Sequence, residues 1–158
     1  MSQLVITDKA TPMIPDGARI MALTIWGEAR GEGFQGRCAV GHVILNRVRK
    51  GGWWGNTVEE VCLKPWQFSC WNKGDPNREA MEKLPVSDPL YLQCLGISIM
   101  LMSGLENGFR SSDFKPDFPK NIYHYCTHGA AKRNPPSWAK DRMHDFSIGG
   151  HRFFSGVE

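Results

Sequence analysis

The sequence predicts an α+β domain, mainly helical, with a small antiparallel sheet at its C-terminal end. Three observations predict it. Apolar residues recur at helical spacing in several segments before residue 104. Two helix-start signals, Thr57-Val58-Glu59-Glu60 and Asp88-Pro89, fall within that region. Beyond residue 120 the chain turns aromatic and extended, and Gly149-Gly150 separates two short apolar stretches in the manner of a hairpin.

Residues 1–14 read as a flexible leader and 15–158 as a single domain. Asp16 suits the N-cap of a first helix ending near Ala29, with Ile20, Leu23 and Trp26 at helical spacing and Gly31 and Gly33 as its stop. A second helix spans Phe34 to Arg49. Phe34, Cys38, Gly41, Leu45 and Val48 share one stripe, and Gly51-Gly52 ends it. Gly36 and Gly41 are costly inside a helix, so they mark close packing. Thr57 opens a short helix that Pro65 terminates, and another short helix is predicted over Arg78 to Lys83. Asp88-Pro89 opens a helix to Met102, apolar enough to be read as a buried core helix. Phe109 to Lys120 is a long loop. Asn121 to Cys126 is a strand, and Asp145 to Ile148 with His151 to Phe154 form the hairpin.

A chain of 158 residues can bury a core of its own. The net charge of +3 is too weak to argue nucleic acid as a partner, although it favours an anionic surface such as a bacterial envelope. The start of the chain has no charged segment followed by an apolar run, so no signal peptide is read, and the apolar stretch Leu90 to Leu105 is too short for membrane insertion. A monomer is the default for a chain of this size. The five cysteines are odd in number and scattered, which favours free thiols over a disulfide framework.

The chemistry concentrates in Trp26-Gly27-Glu28-Ala29-Arg30-Gly31-Glu32, where two carboxylates lie four residues apart at a helix end. Desolvation there, beside an aromatic ring, would favour a protonated carboxyl, the form a general acid needs. Glycosidic bonds are broken by such an acid. Glu28 and Glu32 are therefore the candidate catalytic residues. Glu32 would sit one turn beyond Glu28 if the helix persisted, which Gly31 makes doubtful. It could equally pair with Arg30, Arg37 or Arg47, or cap the next helix. Candidate substrate-binding residues are Gln67, Phe68, Tyr123, His124, Tyr125 and Trp138. In a strand, His124 would face away from both tyrosines. Trp66, Trp71 and Trp138 could stack on sugar rings or simply fill the core.

With these pieces in place, the chain resembles the cell-wall hydrolase family typified by the spore-cortex-lytic enzyme, with SleB-type catalytic domains. The resemblance runs from about Ile20 to Phe154. It is carried by Trp26 to Glu32, by Ile44-Leu45-Asn46-Arg47-Val48, by Pro65-Trp66-Gln67-Phe68-Ser69, by Tyr123-His124-Tyr125, by Pro136-Ser137-Trp138-Ala139, and by the closing Gly150-His151-Arg152-Phe153-Phe154. It implies a fold similar to lysozymes and lytic transglycosylases, and peptidoglycan as the partner. The implied activity is glycan cleavage between N-acetylmuramic acid and N-acetylglucosamine, with Glu28 as the acid and no cofactor. It favours the one-glutamate transglycosylase route, in which the C6 hydroxyl of the sugar attacks. A lysozyme-type muramidase would call on a second acid such as Glu32. The short chain looks like a bacteriophage or prophage endolysin, held in the host bacterial cytoplasm until lysis and then acting on the wall.

Two readings of other classes remain. One is a zinc amidase using His124, Cys126 and His128. The His124-x-x-x-His128 spacing suits a metal on a helix, but its surroundings are β-like, and Cys62 and Cys70 lack the tight spacing of zinc ligands, so no metal site is assigned. The other is a non-catalytic wall-binding module, to which Glu28 would be irrelevant.

Overall fold

The computed structural model describes Ile14, residues 16–104 and residues 118–157. Apart from Ile14, the predicted leader lies outside the described residues, as does most of the long loop after Phe109. Five helices come first: α1 (Asp16–Ala29), α2 (Phe34–Lys50), α3 (Val58–Leu63), α4 (Pro76–Glu82) and α5 (Pro89–Met102). Then follow β1 (Ile122–Thr127), α6 (His128–Arg133), β2 (Phe146–Ile148) and β3 (His151–Ser155). The mainly helical α+β class is as the sequence predicts.

α1 and α2 organise the molecule. α1 buries Ala18, Met21, Ala22 and Ile25 against the other helices. α2 is buried from Gly36 to Arg47, because one side meets this helical core while Ala39 and Val43 meet the sheet through Phe118, Ile122, Ile148 and Phe153. Gly41 is where helices close up: a Cβ there would lie 2.6 Å from Leu101 Cδ1 and 3.2 Å from Met21 Cε.

The caps predicted at Thr57 and Asp88 are present, accepting from Glu60 N and Tyr91 N. α4 starts earlier than predicted, because Asp75 caps it and Pro76 takes the first helical position. α5 is only partly buried. Cys94, Ile97, Ser98 and Leu101 face the core, whereas Leu92, Ile99 and Met102 are exposed on the side turned away from α1 and α2, the main partners of α5 among the described elements. No described helix is long and apolar enough to cross a membrane.

The sheet has the order β1-β3-β2, both pairings antiparallel. The predicted two-residue turn sits at Gly149-Gly150, with Gly149 at φ 54°. α6 is an addition: Thr127 accepts from Ala130 N and starts a single short helix directly after β1. All five cysteines are free and buried.

Candidate active site

Glu28 lies near the C-terminal end of α1, on the wall of a cleft of about 690 Å³ between the helices and the sheet. Both its oxygens are held. Oε1 accepts from the backbone N–H of Cys70 at 3.2 Å, and Oε2 accepts from the Tyr125 hydroxyl at 3.0 Å. The first donor comes from a tight turn over Ser69–Trp71. Two contacts fix that turn on α1. Trp71 Nε1 donates to Thr24 Oγ1 at 2.9 Å, and Gly27 lets the turn approach closely, since a Cβ at Gly27 would lie 2.7 Å from Cys70 Cβ. The second donor comes from β1. Burial, then the charge of Glu28, raises the Tyr125 pKa well above its usual value, so the phenol keeps its proton.

The α2 residues Asn46 and Arg47 hold β1 in place. Asn46 is 1% exposed and donates to the carbonyls of Pro119 and Ile122, both at 2.9 Å. Arg47 donates from Nε and Nη2 to the Tyr123 carbonyl, and its guanidinium lies over the rings of Trp54 and Phe68. Burial lowers the Arg47 pKa to about 10, which still leaves it a cation at neutral pH. The sequence offers Arg47 as a partner for Glu32 and as part of the Ile44–Val48 segment of the resemblance, with no further role. Its anchoring of β1 beside Glu28 has no local signal.

The candidate residues divide. Glu28, Gln67, His124, Tyr125 and Trp138 all line the cleft. The predicted alternation along β1 is interrupted by a register shift between Ile122 and His124, and the cleft takes in His124 and Tyr125 alike. Phe68 does not line it. It is 2% exposed and supports Arg47 from the core, while its neighbours Gln67 and Ser69 reach the cleft. Tyr123 lies in an adjoining cavity instead. Trp71 is tied to α1, whereas Trp66 is 82% exposed at the cleft on left-handed backbone, φ 66°. Trp53, which the sequence reading passes over, also lines the cleft and is 63% exposed.

Glu32 points elsewhere. It lines a separate cavity with Gly33, Phe34 and Gly149. Its Oε2 accepts from Gly150 N at 3.0 Å, and its Oε1 lies 3.9 Å from His151 Nδ1. The turn glycines make this approach possible, for a Cβ at Gly150 would lie 2.7 Å from Glu32 Oε1. None of the three arginines considered as partners holds its carboxylate in a described contact. Arg37 bonds to the Glu32 main-chain carbonyl and to Gln93, Arg47 bonds to Tyr123, and Arg30 lies over Trp26.

Beside the cleft, Arg47 Nη1 and His124 Nδ1 are buried without hydrogen-bond partners, as is His151 Nδ1, which faces Glu32 Oε1 at 3.9 Å. Such atoms are rare in folded proteins and call for a ligand or a function. Among the described residues, no three His, Cys, Asp or Glu side chains gather as a metal site.

His124 sits against Trp54 and Trp138, at ring separations of 5.2 and 4.7 Å. Burial, then the charges of Arg47 and Arg142, lower its pKa to about 4. The unfolded chain therefore binds a proton at His124 between about pH 4 and 6.5 that the folded chain does not. This contribution to stability is complete above pH 6.5 and is lost as pH falls toward 4. His151 is shifted the same way by burial. Thermal melts across this range should show stability falling with acid, and more shallowly in His124→Gln. Equal slopes in the two proteins would contradict this assignment.

Comparison with known proteins agrees with this architecture. A cell wall hydrolase family model matches residues 31–154, a span that begins just after Glu28. The spore cortex-lytic enzyme of Oceanobacillus iheyensis is 38% identical over 68 residues, covering 40% of this chain and 24% of the relative. That of Bacillus subtilis is 37% identical over 68 residues, covering 40% and 22%. The matched region is thus about a quarter of each relative's length. Among solved structures, the catalytic domain of the Bacillus cereus SleB protein superposes with a TM-score of 0.56 at 23% identity, covering 93% of this chain and 99% of that one. The catalytic domain of the germination-specific lytic transglycosylase SleB from Bacillus anthracis gives 0.57 at 22%, covering 95% and 100%. The fold is therefore the lysozyme-like one of these domains. With the family model matching most of its length, the chain belongs to the cell wall hydrolase family.

Proposed function

We propose that this chain cleaves the glycan strand of peptidoglycan between N-acetylmuramic acid and N-acetylglucosamine, as a lytic transglycosylase with Glu28 as acid and then base. The observation that carries the reading is that Glu28 is the one carboxylate among the described residues lining the cleft. Glycosidases that deliver water or form a covalent intermediate ordinarily use two carboxyl groups flanking the bond. Attack by the sugar's own C6 hydroxyl needs one.

In this mechanism Glu28 protonates the departing glycosidic oxygen. The Cys70 N–H and Tyr125 O–H then stabilise the carboxylate that remains. That carboxylate takes the proton of the C6 hydroxyl as the 1,6-anhydro ring closes. The exposed rings of Trp53 and Trp66 suit the apolar faces of sugar rings, and Gln67 and His124 suit their polar substituents. Glu32, bonded to the hairpin turn, serves in this account to hold β3 and His151 against Tyr125, whose ring lies 4.9 Å from that of His151.

Purified peptidoglycan tests the reading. The expected result is that turbidity falls and soluble fragments appear without a matching rise in reducing ends. A stoichiometric rise in reducing ends would overturn the transglycosylase reading in favour of a muramidase. Tyr125→Phe should lower kcat/KM about 10- to 100-fold, from the loss of a hydrogen bond to a charged group worth about 1.5–3 kcal/mol. Steady-state rates on soluble glycan strands check this, and an unchanged rate would remove Tyr125 from the mechanism.

A further inference from the structure

A second cavity, of about 550 Å³, adjoins the Glu28 cleft. The two share Trp53, Trp54 and His124, so the same aromatic wall borders both. Beyond that wall the side cavity is lined by Lys50, Gly52 and Tyr123 among others. Its chemistry differs from that of the cleft. Lys50 is exposed, with its ammonium 5.5 Å from the centre of the Tyr123 ring, and no acidic side chain is among the described lining residues. Gly51 and Gly52 are among its lining residues, at φ 64° and 59°, and nothing lies within 4 Å of where a Gly52 side chain would begin. The cavity is thus aromatic and cationic, and it shares a wall with the groove that holds the proposed acid.

The proposed substrate is branched as well. A muramoyl unit lying across Glu28 carries a lactyl ether that continues as a short peptide bearing carboxylates. That branch has to leave the glycan axis close to the scissile bond. We propose that the side cavity receives the stem peptide of peptidoglycan, with Lys50 pairing one of its carboxylates and the Tyr123 ring contacting its apolar atoms. This rests on the glycan-cleavage reading above and adds the part of the substrate that the cleft itself leaves unread.

The test compares one peptidoglycan preparation in two forms, with stems intact and with stems removed by an N-acetylmuramoyl-L-alanine amidase. The full chain should show the lower KM on stem-bearing strands. Lys50→Glu should reduce kcat/KM on stem-bearing strands about three- to tenfold more than on stripped strands, the scale of reversing one partly exposed ion pair. Gly52→Asn keeps a residue that tolerates left-handed backbone while adding a side chain to the cavity lining, and it should show the same bias. Equal KM for both forms in the unaltered protein would overturn the proposal. So would a greater loss on stripped strands, which would make the exposed lactyl carboxylate the partner of Lys50. Cleavage of neither form by the unaltered protein would overturn the glycan-cleavage reading itself, and this inference with it.

Discussion

Replacing Glu28 by Gln should remove peptidoglycan lysis while leaving the fold intact. The amide keeps the size of the carboxylate. Its oxygen can still accept from Cys70 N or from Tyr125, so the contacts that join α1 to the Ser69–Trp71 turn and to β1 survive in part. What disappears is the transferable proton. General acid–base catalysis contributes about 10²- to 10⁴-fold, and here one group is asked to serve in both halves of the reaction, so the loss should lie at the upper end of that range. Digestion of purified peptidoglycan, with thermal melting of the same samples, checks both parts. Retained binding to the wall with lysis gone is the expected pattern. Undiminished lysis in a folded Glu28→Gln protein would return the chain to the class of wall-binding modules or to a different chemistry.

Gly27→Ala is the second large effect. The added methyl group would begin 2.7 Å from Cys70 Cβ and 2.8 Å from Met81 Sδ, in a region where both residues are buried. Real Cβ atoms are not found that close, so the Ser69–Trp71 turn or α4 has to move. Overpacking of this kind costs about 1–3 kcal/mol. The displaced turn is also the one that donates the Cys70 N–H to Glu28, so activity should fall further than the stability loss alone accounts for, with kcat reduced at temperatures where the variant is fully folded. Denaturant melts and initial rates separate the two. A variant as stable and as active as the parent would mean that α1 and the turn do not meet as described.

Much of this architecture is legible in the sequence because its signals are local. Thr57 and Asp88 announce their helices through a cap within three residues, and Gly149-Gly150 announces the hairpin. Asp75-Pro76 carries the same signal as Asp88-Pro89, and reading it would have placed α4 correctly. α6 is too short for periodicity to reveal, and only the Thr127 cap marks it. Of the residues that line the cleft, the sequence singles out Glu28, Tyr125 and Gln67, but not the contacts that bring them together. The Cys70 N–H reaches Glu28 across 42 residues, and Gly150 reaches Glu32 across 118. Neither contact leaves a trace in the composition or spacing nearby. Phe68 misleads for a related reason. It belongs to a cleft-lining segment, yet its apolar ring turns inward beneath Arg47. Trp53 is the opposite case, a tryptophan at the border of two cavities that nothing in its neighbourhood distinguishes from core.

Mass spectrometry of the soluble fragments released from purified peptidoglycan tests the central claim most directly. A single cleft carboxylate acting as acid and then base predicts muramoyl ends in the 1,6-anhydro form, each lighter by one water than a hydrated end. Those ends should vanish in Glu28→Gln. Fragments ending in reducing, hydrated muramic acid would contradict the account, and they would call for a second acid beside Glu28, the one carboxylate among the described residues lining the cleft.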